Sequence, residues 1–150
     1  MPSPLQALSA KDRSTGASSI SASDRRLVVT FYAASAVTAK DAVCFATGKT
    51  GADRVVYVEK TDSDAPQTHQ GIGYALDTVA AGERVRVVVK GYVEGAAVAS
   101  AVTIGELINA GADPGRGAKY VSGDNETPFA QALENASGNT CDVWVIGVFA

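Results

Sequence analysis

Polar and apolar positions largely alternate in "ERVRVVVKG", residues 83–91. Val85, Val87 and Val89 share one face, and Arg84, Arg86, Val88 and Lys90 share the other. A period of two predicts a strand with one face in a core and one face wet. The same writing returns in "NTCDVWVIGVF" near the C-terminus. There Cys141, Val143, Val145 and Phe149 take the inward positions. Thr140, Asp142, Trp144, Ile146 and Val148 point outward, so a face that is cationic in the first strand becomes partly apolar in the last. Trp144, Ile146 and Val148 form an apolar stripe, which water disfavours and an interface uses. A final strand buried on both faces of one subunit is the alternative.

The likeness between these strands extends outward. "GYALDTVAAGERVRVVVKG" (73–91) aligns with "AQALENASGNTCDVWVIG" (130–147). "VTAKDAV" (37–43) aligns with "VTIGELI" (102–108), and "YVEKTD" (57–62) with "YVSGDN" (120–125). The first half is longer, mainly in the turn-like "GKTGADR" and "SDAPQTHQG". Length differences confined to loops are what two copies of one structure tolerate. The expectation is an all-β domain over 27–150, a small barrel or sandwich with half-repeats at about 37–91 and 102–147.

Two segments argue locally for helix. "TPFAQALENASG" has a Thr N-cap, a Pro at the first helical position and a Gly beyond the end. Its partner "GIGYALDTVAAG", with glycines at 71 and 73, makes a poor helix. If the halves share a shape, both are a strand followed by a turn, and "VTIGELINAG" resolves the same way. Residues 1–26 are rich in Ser, Ala and Pro with no lasting apolar period, and predict an extended N-terminal arm.

The 150 residues fit one domain with a core of its own. Apolar residues make up 46% and charged residues 19%, an ordinary globular balance, and the many Gly and Val residues favour strands joined by turns. The net charge of −3 has the wrong sign for a protein that neutralises phosphates, so no nucleic-acid partner is expected. Cys44 and Cys141 stand far apart in apolar runs, which predicts buried free thiols rather than a redox or zinc motif. No run approaches the roughly 18 apolar residues of a membrane helix, and no apolar leader opens the chain, so synthesis in a reducing cytoplasm without membrane insertion is expected.

Candidate chemistry is sparse. His69 is the one histidine, it lies in a loop, and no GxSxG elbow accompanies it. Asp62 and Asp64 lack the Gly and distal Glu of a calcium loop and read as turn formers. "GIGYAL" lacks the third Gly of a dinucleotide site. "ADPGRG" (112–117) reads as a turn before it reads as an anion cradle. No nucleophile, base and oxyanion donor assemble, so neither catalytic activity nor a cofactor or metal is expected.

"VTIGELI", "GYALDTVAAGERVRVVVKG" and "ALENASGNTCDVWVIG" together resemble the decoration, or cement, proteins of tailed-phage capsids. The resemblance spans about residues 37–150, and departs at Lys40, where that pattern has glycine. It implies a β-rich virion protein on the outer capsid surface, often a homotrimer, whose partner is the major capsid protein. In that setting the arm would add a strand to a neighbour's sheet edge and bury Leu5, Leu8 and Ile20. Ordering costs roughly 1–2 kcal/mol per residue, so the arm would order only on a partner. Other classes remain open at this point: a tail-tube or head-completion protein, or a small ligand-binding barrel.

Overall fold

The computed structural model describes residues 25–63, 70–123 and 127–147. Leu5, Leu8, Ile20, Asp64, His69, Val148 and Phe149 lie outside the described residues. The strands are β1 (Arg26–Ala33), β2 (Ala42–Phe45), β3 (Tyr57–Lys60), β4 (Gly71–Ala75), β5 (Arg84–Ala97), β6 (Leu107–Ala110), β7 (Gly117–Lys119), β8 (Ala130–Ala132) and β9 (Thr140–Val145). One short 3-10 helix, Gly51–Val55, occupies the longer loop of the first half. The domain is all-β, as the alternation predicts. The segments with helical caps are β8 and β6, each a short strand running into a turn.

The strands form one sheet in the order β1-β3-β2-β4-β5-β9-β8-β6-β7, and β1 also pairs with β5. That extra pairing closes β1, β3, β2, β4 and the start of β5 into a five-stranded barrel. The 14-residue β5 then runs on. Its far end pairs with β9 from Gly91 to Ala97. Beyond it lie β8, β6 and β7, and β7 returns to the end of β5 through a Val98–Gly117 bridge. The second half is therefore wrapped in the same order as the first, more loosely closed, and the two share one strand.

The repeated letters mark repeated hydrogen bonds. The Lys40 N–H donates to the Ala75 carbonyl at 2.8 Å, and the Gly105 N–H to the Ala132 carbonyl at 2.9 Å. The Thr38 N–H donates to Asp41 Oδ2 at 2.9 Å, and the Thr103 N–H to Glu106 Oε2 at 2.8 Å. The Ala39 N–H is met by Thr78 Oγ1 at 3.0 Å, and the Ile104 N–H by Asn135 Oδ1 at 2.9 Å. The Arg86 N–H reaches Asp77 Oδ2 at 3.0 Å, and the Asp142 N–H reaches Glu134 Oε1 at 3.1 Å. Short acids and amides recur because each satisfies a turn N–H that the ladder leaves over. Lys40 adopts φ 77° where Gly105 has φ 85°, so the same left-handed turn carries a side chain in one half and none in the other.

The register corrects one alignment. Val43 pairs with Lys60 and Ile108 with Lys119, so Tyr57–Lys60 corresponds to residues 116–119 and not to "YVSGDN". Tyr120 follows β7, its N–H donating to the Leu107 carbonyl at 2.8 Å, as the Thr61 N–H donates to Ala42 at 3.0 Å.

The cores of the halves differ in how they are filled. In the first, Phe31 and Phe45 pack edge-on, centroids 6.0 Å apart, with Val58 and Ile72 buried beside them. Register places Ala96, Ala110 and Gly117 of the second half where the first has Phe31, Phe45 and Val58. Three large side chains are thus missing. Tyr74 supplies the volume. It points out of the first barrel, is fully buried in the second core, and its ring lies 5.6 Å from that of Phe129. A Cβ on Gly117 would clash with Ile108 Cγ2 and come within 2.6 Å of the Tyr74 hydroxyl, so the packing of both side chains requires glycine there. Ala42 and Val88, its cross-strand neighbours, are buried with it. This overturns the wet face expected at Val88: Arg84, Arg86 and Lys90 are exposed, but the second half covers Val88.

Three substitutions test this packing and the left-handed turn. Tyr74→Ala should cost about 3–5 kcal/mol, the range for emptying a buried aromatic site. Hydrogen exchange should show the loss concentrated in β6–β9. Tyr74→Phe should stay within about 1 kcal/mol, since the hydroxyl has no protein partner among the described residues. Lys40→Gly should instead stabilise by up to about 1 kcal/mol, because the left-handed penalty of roughly 1–2 kcal/mol exceeds glycine's entropic cost. Thermal melting should then rise by a few degrees; an unchanged or lower midpoint would show that Lys40 is not strained.

Candidate interaction surface

The alternation of β9 places Cys141, Val143 and Val145 in the core and turns Trp144 outward. Trp144 is 37% exposed and Ile146 45%, which removes the alternative of a final strand buried on both faces. Neither is alone. Trp144 pairs across the sheet with Gln131, and Gln131 with Leu107, which is 38% exposed. On the other side Trp144 pairs with Tyr92 of β5. Cross-strand partners share a face, so Tyr92, Trp144, Gln131 and Leu107 form one row across four strands. A second row lies beside it. Leu27, 52% exposed, pairs with Lys90, and Lys90 lies opposite Ile146 because Gly91 pairs with Val145.

The row's flanks carry opposite charge. Lys90 stands on the Ile146 side. On the other side Asp142 accepts from the Tyr92 hydroxyl at 2.8 Å and from the Gly95 N–H at 2.8 Å. These bonds hold the irregularity in β5 between Val93 and Ala96. They explain why the second half has an acid where the first has Arg86, which is paired with Asp77 at 2.7 Å. The Tyr92 phenol is pushed up to about 12, first by its bond to Asp142 and then by burial and neighbouring acids. Arg86 holds Asp77 below the usual carboxylate range, chiefly through their side-chain hydrogen bond. Lys119 does the same for Glu106.

Other candidate groups are structural. Burial, with Glu59 and Asp62 nearby, pushes the Cys44 thiol up to about 12, and burial raises Cys141. Both thiols are free and buried, as the sequence predicts, and both stay protonated at neutral pH. "ADPGRG" is a turn closed by the Arg116 N–H on the Asp113 carbonyl at 3.1 Å and by an Asp113–Arg116 ion pair at 3.0 Å. Among the described residues no three His, Cys, Asp or Glu side chains converge as a metal site. No described helix is long and apolar enough to cross a membrane. A shallow cleft of about 330 Å³ lies on the first barrel, lined by Thr30, Phe31, Tyr32, Val56 and Arg84. Tyr32 and Tyr57 stand at its side, centroids 5.6 Å apart, with Lys49 over the Tyr57 ring at 4.1 Å.

Of the interface residues expected from sequence, Trp144 and Ile146 come together on one surface. Leu107 and Leu27 join them, and sequence reasoning missed both. Leu107 was legible in principle, since "VTIGELI" sets it one position before the inward Ile108. Leu27 needed the β1–β5 register.

No protein-family model matches the chain, and neither does any curated protein. Among solved structures, the crystal structure of the head fibre gp8.5 N base of bacteriophage phi29 matches with a TM-score of 0.53 at 19% identity. The match covers 81% of this chain and 93% of that one, so nearly the whole of that base and most of this protein share a fold.

Proposed function

We propose that the protein is a structural component of a tailed-phage virion, a decoration protein that binds the outside of the capsid and stabilises it. The observation that carries this reading is the shared fold with the base of a phage head fibre. A structural role in a virion asks for a rigid β domain and contact surfaces rather than a reaction centre. The sequence resemblance to capsid decoration proteins points the same way from different information. The matched hydrogen bonds of the two halves support an internally duplicated module. On this reading the major capsid protein is the partner, and no catalysis is involved.

The arm of residues 1–26, with Leu5, Leu8 and Ile20, serves as the capsid clamp in this proposal. Many identical weak contacts on one shell add through avidity. The test uses purified protein and expanded, empty capsids of the phage that encodes it. Co-sedimentation at a fixed stoichiometry is expected, with raised capsid melting. Protein that stays in the supernatant across salt conditions would refute the reading. Removing residues 2–22 should leave the melting temperature within a few degrees, because the segment offers few apolar side chains to the core. Capsid occupancy should fall sharply; full occupancy after the deletion would remove the arm from the mechanism.

A further inference from the structure

The row Leu107–Gln131–Trp144 has a twin inside the molecule. Ala42 pairs with Tyr74 and Tyr74 with Val88, in the register by which Leu107 pairs with Gln131 and Gln131 with Trp144. Both rows point out of their own half. The first is wholly buried, because the second half of the chain sits on it. The second is the surface described above, with Leu107 and Trp144 each more than a third exposed. The position that joins half to half in the first module is thus open in the second, and it carries a tryptophan and a leucine.

We propose that this row is a contact between copies of the chain, in which the second half of one molecule packs on the second half of another. The equivalence with a face already used for packing one such module on another favours a copy of this chain as the occupant. Neither half offers an open socket to a second copy: the core of the first is filled by Phe31 and Phe45, and the space beside Ala96, Ala110 and Gly117 in the second already holds Tyr74. Gln131, standing where Tyr74 stands, donates to the Gly105 carbonyl at 3.1 Å and lies along its own surface. A face-to-face contact therefore fits better than a chain of inserted plugs. The charges agree, since Lys90 flanks the row on one side and Asp142 and Glu134 on the other. An inverted copy sets opposite signs together, which favours self-pairing and registers it.

The contact needs no capsid, so it can be tested on the purified full chain. Sedimentation over two decades of concentration should show reversible association. Trp144 is the one tryptophan, and its emission should shift to the blue as the copies associate. Trp144→Asp should weaken association at least tenfold while circular dichroism and melting of the monomer persist. If that variant folds poorly, Gln131→Cys decides. A short bismaleimide should couple Gln131→Cys molecules to each other far faster than Ala52→Cys molecules, whose thiol sits on the exposed far loop. The native Cys44 and Cys141 are buried and stay out of the reaction. A wild-type protein that is monomeric throughout, or equal coupling rates for the two cysteine variants, overturns the proposal. A monomer that still binds capsids would sink this contact and leave the capsid reading intact; an oligomer that ignores capsids would do the reverse.

Discussion

The ring of Tyr74 is the piece on which the two halves depend. It leaves the wall of the barrel and completes the core of the second half. Protein interiors pack at crystal-like density, so the space left beside Ala96, Ala110 and Gly117 has to be filled, and Tyr74 fills it. One half is self-sufficient in volume and the other is not. Two halves on a flexible tether would move independently; two halves that share β5 and one aromatic plug cannot separate without opening a cavity. The absence of a linker between the halves is therefore a packing result as much as a topological one.

Likeness and asymmetry between the halves then explain each other. The acids Asp41 and Glu106, Asp77 and Glu134, and the polar pair Thr78 and Asn135, recur in both halves because each answers a backbone N–H. Side chains on the outward rows have no such duty and diverge. Val88 is part of an internal junction, and its counterpart Trp144 is exposed. Arg86 and Asp142 diverged for a local reason: one pairs with Asp77, and the other holds the irregular stretch of β5 through Gly95.

Much of this was legible in the chain. Alternation gave the faces of β5 and β9 correctly at Val85, Val87, Val89, Cys141, Val143 and Val145, since a period of two needs no partner to be read. Comparing the halves also outweighed the helical caps around Pro128, because glycines at 71 and 73 deny that conformation to the counterpart. What failed depended on contacts between distant segments. Val88 is apolar on a polar face because another half covers it, and one strand's alternation cannot report that. The pairing of "YVEKTD" with "YVSGDN" followed identical letters, whereas register follows cross-strand partners. Half of the exposed apolar surface, Trp144 and Ile146, was visible as a stripe at the C-terminal strand. The remainder, Leu107 and Leu27, comes from strands brought alongside only by the closed sheet.

The continuity of β5 has a mechanical consequence. Its 14 residues span roughly 45 Å at about 3.3 Å per residue. Along that length β1 flanks one end and β9 the other, both antiparallel. Ladder hydrogen bonds lie perpendicular to the strands. A pull that tries to draw the two halves apart along β5 therefore runs across those bonds and strains many at once, instead of peeling them singly. Stiffness along this axis comes from an uninterrupted backbone. Two domains tied by a loop would hand the same force to whichever interface was weakest.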